Sequence, residues 1–371
     1  MDVEVVASRD AGGENVTTIE AQLPEATRDA AGAPIRTADL ADVIGVTGTP
    51  RLSDNALWLE RVERSFSLPR VKCLGDLRGL YHGERIIVHG SGPSIRDTLP
   101  EVIELVAGGA KLMAINAAHD WLLSKGLKPD FGILADPKDY VAGYQTLTPG
   151  VKYFIASQCH DDVFARFKGH DEVYVWHAMR GRNQTEMDGF REKIQALVQK
   201  YQRNAYCSAE GGSTTGMRGW DIAGMLGASF SHLVGMDSSG AVEGEKVTIH
   251  GHAKPHVVEA TSRAFYIVDI ANGRQIDRSY RSNVAMAHQA MHWGNILRRR
   301  LNQMRAGTYP PMEITVHGSG LFPDAAALWG LHVDPNRAAW LRSFGYLPEQ
   351  GPEPLPPGLA LDELIALPDI R

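Results

Sequence analysis

The chain has 371 residues, 43% hydrophobic and 22% charged, with a net charge of −6, which is ample for the core of one large domain. The mildly acidic balance argues against a protein held to nucleic acid by phosphate contacts, and the short run Arg298-Arg299-Arg300 reads as a solvated helix face. Three widely spaced cysteines (Cys73, Cys159, Cys207) form no disulfide framework or zinc pattern, no apolar stretch is long enough for a membrane span, and no secretion signal opens the chain, so a cytoplasmic location is expected.

Residues 1–40 carry few large apolar side chains and read as a flexible arm. Residues 41–82 read as a helical lead-in, because Leu57, Leu59, Val62 and Phe66 have helical spacing after the Ser53-Asp54 cap signal and a second short helix is expected over Leu74–Tyr81. From residue 83 the pattern alternates. Strands are expected at Arg85–His89, Lys111–Asn116, Phe131–Ala135, Val151–Ala156, Glu172–Trp176 and Ser231–Gly235, with helices between them. Glu186–Lys200 looks like a cover or lid within 177–210, and Thr214–Leu226 like a strong helix. This order implies an α/β fold with a mostly parallel sheet and helices on both faces. Beyond residue 240, Asn272-Gly273 marks a hairpin between Phe265–Ile270 and Arg274–Ile276, followed by a long helix over Ser282–Arg305 and a strand at Glu313–Val316. Residues 321–371 read as a proline-rich helical tail.

The most informative segment is Gly90-Ser91-Gly92-Pro93-Ser94, where a buried strand ends in glycines and opens a helix. Such a junction offers backbone N–H groups to an anion, typically phosphate, although a tight structural turn has the same composition. It is neither the three-glycine dinucleotide pattern nor a P-loop. The expected strand ends supply Asn116, Asp136, Ser157 with Gln158, and Asp237 with Ser238. Each alone would serve as a turn former or cap; together they form a polar site, and Asp136 with Asp237 could share Mg2+ with a diphosphate. Ser213, Thr214, Thr215 and Gly216 open a further helix, either as a plain N-cap or as a second anion site. The segment Ile249–His256 holds His250, His252, Lys254 and His256, which suit acid–base chemistry and phosphate neutralisation or are ordinary loop histidines. His288 and His292 lie four residues apart, where helix packing or surface exposure is the expected role.

Gly83–Asp97, Lys128-Pro129-Asp130 before Ala135-Asp136-Pro137, Gly212–Gly216 and Leu233–Asp237 together resemble the MptE-like family over residues 70–300. That family contains archaeal 6-hydroxymethylpterin diphosphokinases and the central domain of Maf flagellin glycosyltransferases. The pattern is also similar to bacterial sialyltransferases with a Gly-x-Gly-Pro-Ser turn. The resemblance implies a Rossmann-like nucleotide-binding transferase domain over 83–320, with a C-terminal hairpin and helix extension. It implies that Gly90, Ser91, Gly92, Pro93 and Ser94 hold the nucleotide, aided by Asn116, Asp136, Thr214, Thr215, Gly216 and Gly235. Gly251-His252-Ala253-Lys254 is similar to the sialyltransferase Gly-His-Ser-Lys, which implies His252 as general base. Where those enzymes have an arginine and leaving-group tyrosines, this chain has Gly212 and Ser238-Ser239-Gly240. Lys254, a metal on Asp136 and Asp237, or Arg180 and Arg182 would then assist the leaving group.

The expected function is therefore transfer of a sugar from a nucleotide-sugar donor to a hydroxyl acceptor. Pyrophosphate transfer from ATP with Mg2+ is the alternative, and a non-catalytic nucleotide-binding or assembly protein is the third reading. Association into a homo-oligomer is compatible with all three.

Overall fold

A computed structural model describes residues 3–6, 18–22, 55–68, 71–179, 184–201, 207–210, 214–243, 246–248, 250–251, 256–257, 263–269, 274–275 and 280–282. It further describes residues 286, 289–290, 293, 296–297, 300, 303–304, 306–328 and 332–333.

The strands, in chain order, are β1 (Val3–Val6), β2 (Thr18–Gln22), β3 (Lys72–Cys73), β4 (Arg85–His89), β5 (Lys111–Ile115), β6 (Phe131–Leu134), β7 (Lys152–Ala156), β8 (Val173–Ala178), β9 (Ser208–Ala209) and β10 (Phe230–Val234). Later come β11 (Ala241–Glu243), β12 (Lys246–Thr248), β13 (His256–Val257), β14 (Arg263–Asp269), β15 (Arg274–Gln275), β16 (Tyr280–Ser282), β17 (Glu313–Val316) and β18 (His332–Val333). The central sheet runs β18-β17-β10-β4-β5-β6-β7-β8-β3, with β9 beside β8, and every neighbouring pair is parallel.

Its strands are continuous apolar runs because both faces are covered. In β4, Ile86 and Val88 pack into a core with Met113, Ile115 and Ile133. Ile87 packs on the opposite face with Leu112, Ala114 and Val102. After α2 (Leu99–Ala107), α3 (Ala118–Ser124) and α4 (Asp161–Arg166) comes α5 (Gln184–Lys200), on which helix α1 (Asn55–Ser67) rests through Val62 and Phe66 against Phe190 and Ile194. The segment expected to act as a lid is thus joined to the helical lead-in by an apolar seam. Helix α6 (Thr215–Leu226) lies directly on the sheet: a Cβ at Gly219 would come within 2.8 Å of Ile115 and 3.0 Å of Val88.

Two regions differ from the sequence reading. The expected flexible arm contains β1 and β2, paired antiparallel, and β2 adds to β14 in a second sheet. Short alternating runs need little apolar burial when a neighbouring strand completes their backbone ladder. The sheet also continues past residue 320, where the tail was expected: helix α7 (Leu321–Leu328) follows β17, and β18 pairs with β17 in parallel. The apolar character of Leu321, Phe322 and Ala325–Ala327, all buried, explains why this stretch joins the core. Part of the expected hairpin is present as β14 against β15, with Val268 opposite Gln275, whereas its Asn272-Gly273 turn lies outside the described residues. Residues 334–371 of the expected tail do so too. Among the described residues, no helix is long and apolar enough to cross a membrane.

Candidate functional site

The strand order reverses beside β4. From β4 the chain steps outward through β5, β6, β7 and β8, then returns to lay β10 against the other side of β4. Open parallel sheets bind ligands in the crevice at such a point, beyond the carboxyl ends of the strands. A cavity of about 370 Å³ lies there. Its wall includes Gly90, Ser91 and Gly92 after β4, Asn116 after β5, Asp136 after β6, and Gly235 and Asp237 after β10. Thr214, Thr215 and Gly216 reach it from the start of α6, and His250 from the segment beyond β12. Ten of the residues expected from the sequence to hold a nucleotide or catalyse its transfer thus border one space: Gly90, Ser91, Gly92, Asn116, Asp136, Thr214, Thr215, Gly216, Gly235 and Asp237. Ser157 and Gln158 do not. Ser157 pairs with His177 at 3.0 Å, and the Gln158 amide donates to the Ala135 carbonyl at 2.9 Å. Ser213, His252, Lys254, Arg180, Arg182, His288 and His292 lie outside the described residues.

The glycine turn is packed against the protein's own backbone. A Cβ on Gly90 would come within 2.5 Å of the Gly235 carbonyl oxygen; one on Gly92 would lie 2.6 Å from the Asp237 carboxyl carbon. Gly90 N–H donates to the Val234 carbonyl at 2.7 Å, and Gly92 N–H to the Gly235 carbonyl at 2.8 Å. Pro93 opens a short 3-10 turn, Pro93–Arg96, and has no N–H to offer. Ser94 is 3% exposed; its N–H donates to Asp237 Oδ2 at 2.7 Å and its hydroxyl to Oδ1 at 2.5 Å. The group held at this turn is therefore the carboxyl of Asp237, itself 2% exposed. Burial, together with the nearby Asp97 and Asp324 charges, pushes its pKa up to about 7 against the pull of the Ser94 hydrogen bonds. The turn after β17 is packed on the first: a Cβ on Gly318, at φ 96°, would collide with the Ser94 hydroxyl. The recurrence of Val-His-Gly-Ser-Gly at 88–92 and 316–320 thus marks two abutting turns of one sheet edge.

Two non-glycine residues on the cavity wall are left-handed, Asn116 at φ 49° and Ser238 at φ 52°. Asparagine tolerates this conformation better than most residues. At Asn116 the surroundings fix it: its N–H donates to the Ile133 carbonyl at 2.9 Å, and the buried Gln145 donates to its carbonyl at 3.2 Å. Asp136 is half-buried and accepts from the Lys138 N–H at 3.1 Å. Because Asp237 gives both oxygens to Ser94, the pair Asp136 and Asp237 does not present two free carboxylates to Mg2+. Among the described residues, no group of three or more His, Cys, Asp and Glu could hold a metal ion.

The start of α6 is different. The Thr214 hydroxyl accepts from the Met217 N–H at 3.1 Å as an N-cap, and the N–H groups of Thr215 and Gly216 meet no acceptor among the described residues. Opposite, Gly251 is bolted to the glycine turn. Its N–H donates to the Ser91 carbonyl at 2.8 Å, and Arg96 Nε donates to its carbonyl at 2.6 Å. This clamp brings His250 to the cavity wall.

A model of the MptE-like family (6-hydroxymethylpterin diphosphokinase MptE-like) matches residues 49–241, more than half of the chain. The chain belongs to the MptE-like family. No curated protein matches it. Among solved structures, it is similar to a Maf glycosyltransferase from Magnetospirillum magneticum AMB-1, with a TM-score of 0.51 and 16% identity. That likeness covers 80% of this chain and 40% of the other, so this MptE-like chain spans less than half of its neighbour, and the likeness is one of fold. The family match ends at residue 241, before the segment holding His250 and before helical residues that complete the cavity. Those residues, Met286, Gln289 and Trp293, were missed in the sequence, as was Trp220. For Met286, Gln289 and Trp293 the signal was the spacing i, i+3, i+7, which puts them on one face of the helix expected over Ser282–Arg305.

Proposed function

We infer that this MptE-like protein is a nucleotide-dependent transferase, and specifically a glycosyltransferase that moves a sugar from a nucleotide-sugar donor to a hydroxyl. The observation that carries this reading is the convergence of four strand ends and the start of α6 on a single cavity of about 370 Å³. In it, the Thr215 and Gly216 amides and the positive end of α6 hold the donor's phosphate. Ser94 and Asp237 keep the neighbouring turn in shape, while Ser91, Asn116 and Asp136 face the ligand. His252, one residue beyond the anchored Gly251, takes the acceptor's proton, and Lys254 neutralises charge on the departing nucleotide. Fixed N–H groups and a lysine stabilise the leaving phosphate without a step that runs through a metal.

The family's diphosphokinase description supports a second reading, pyrophosphate transfer from ATP. Purified protein incubated with CMP-, UDP- and GDP-sugars, and with ATP, each with and without Mg2+, separates the two. Release of CMP, UDP or GDP that His252→Ala abolishes is the expected result. Mg2+-dependent formation of AMP would select the diphosphokinase, and absence of a thermal shift with any nucleotide would defeat both.

A further inference from the structure

Asp136 stands half-buried on the cavity wall, and the carbonyls of the residues on either side of it are held by side chains from elsewhere. The Ala135 carbonyl accepts from the Gln158 amide at 2.9 Å, and the Pro137 carbonyl accepts from Arg61 Nη1 at 3.0 Å. The same Arg61 nitrogen donates to the Gln158 carbonyl at 2.8 Å. One guanidinium thus joins the loop after β6 to the loop after β7, and Gln158 reaches back to close the ring. Neither Arg61 nor Gln158 borders the cavity.

Arg61 comes from α1, which places Val62 and Phe66 against α5 in an apolar cluster separate from those of the central sheet. Arg64, three residues on and so on the same side of the helix, donates to the Cys159 carbonyl at 2.9 Å. Packing on α5 alone needs neither bond, and both fall on the loop that carries Asp136 or the loop beside it. Arginine suits the task. Its guanidinium is a set of donors with no acceptor, always charged, and hydrogen bonds from a charged donor are the stronger ones. A side chain that meets a ligand is useful only when its neighbours hold it in place.

We propose that Arg61, together with Gln158, is a positioning residue that fixes Asp136 on the cavity wall. The lead-in helix is then part of the ligand site without bordering it. The proposal rests on the reading of this cavity as the substrate site.

Backbone amide exchange reads the position of Asp136 without a ligand. The Lys138 N–H is covered by Asp136 Oδ1, and the Thr146 N–H, further along the same connection, by Asp120 Oδ1 at 2.8 Å. In Arg61→Ala the Lys138 amide should exchange about tenfold faster, the worth of about one hydrogen bond, with Thr146 unchanged. Arg64→Ala, which frees the Cys159 carbonyl instead, should leave both amides as in the wild type. Arg61→Lys keeps a charged donor and should recover part of the protection. No acceleration at Lys138, or equal acceleration at both amides, would overturn the proposal. If Arg61→Ala does not fold, Gln158→Leu removes the donor to Ala135 and should give the same result at Lys138.

A double-mutant cycle then reads the effect on a ligand. CMP, UDP, GDP, ADP and ATP are titrated calorimetrically against the full chain, and the tightest is carried forward. Arg61→Ala should weaken it about tenfold. The same change should add nothing once Asp136→Ala is present, because the clamp acts only through that side chain. Equal losses in both backgrounds would overturn the proposal. No binding by any of the five would remove the nucleotide reading and leave the exchange result to decide the clamp. Nucleotide binding with Lys138 exchange unmoved in Arg61→Ala would keep the transferase and remove the clamp.

Discussion

Asp237 makes a prediction that can be worked through with its sign. Its folded pKa is about 7 against an ordinary 3.8, raised chiefly by burial. The native state therefore binds this proton more tightly than the unfolded chain does. The stabilisation is fully present below pH 3.8, falls as pH rises towards 7, and is gone above it. A shift of about three units corresponds to on the order of 4 kcal/mol over that window. Asp237→Asn removes the charge and keeps the shape: its oxygen can still accept from the Ser94 N–H, and its amide can donate to the Ser94 hydroxyl. The variant should match the wild type near pH 4 and exceed it in stability above pH 7. Asp237→Ala leaves the Ser94 N–H and hydroxyl buried without acceptors, at a cost of roughly 1–3 kcal/mol for each group. Urea unfolding of the three proteins from pH 4.5 to 8.5, plotted as differences from the wild type, reads both effects. If Asn and Ala variants were equally destabilised by an amount that did not vary with pH, Asp237 would be ionised throughout, and a neutral carboxyl latch would be wrong.

The other predictions concern backbone clearance, a buried ion pair and thiol access. Gly92→Ala drives a methyl into the Asp237 carboxyl and the Gly235 carbonyl, so the midpoint of urea unfolding should fall by the equivalent of about 2 kcal/mol or more. Gly143→Ala, where a Cβ meets nothing within 4 Å, should stay within about 0.5 kcal/mol of the wild type. Arg300 lies 2.7 Å from the buried Asp221 carboxylate; Arg300→Ala strands that carboxylate, and a loss of about 3 kcal/mol is expected in the same assay. Cys73, Cys159 and Cys207 are all buried, and burial pushes the Cys207 thiol up to about 12; a thiol reagent should label the native protein slowly and all three sites once it is unfolded.

The central sheet was legible in the sequence because each parallel strand is a buried apolar run closed by a turn residue. Arg85–His89 and Glu313–Val316 form over the expected residues, and Thr214 caps the expected helix. The candidate site was legible as a set of strand ends, since their convergence follows from parallel topology. What a turn's polar groups bind was not. Ser94 and Asp237 lie 143 residues apart, and periodicity carries no information about which long-range partner fills an anion site. The N-terminal strands were missed for a related reason: β2 is held by pairing with β14, far along the chain, which no local pattern in residues 1–40 announces.

The same long-range pairing bears on how a cavity with Asp136 and Asp237 on its wall can hold an anionic donor. A glycine turn that ends a strand would hold phosphate with its own amides, but here the Gly90, Gly92 and Ser94 amides are already used and a carboxyl sits at its centre. With that carboxyl ionised, the turn would repel a second anion nearby; with it protonated, the repulsion disappears. Because Asp237 titrates near neutrality, donor affinity at the adjacent start of α6 should weaken as pH rises through 7. The Asp237→Asn variant should lose that dependence while binding the donor at least as tightly as the wild type at pH 8. A nucleotide titration at pH 6 and pH 8 distinguishes this from a carboxylate that binds the ligand directly, in which case the substitution would weaken binding at both.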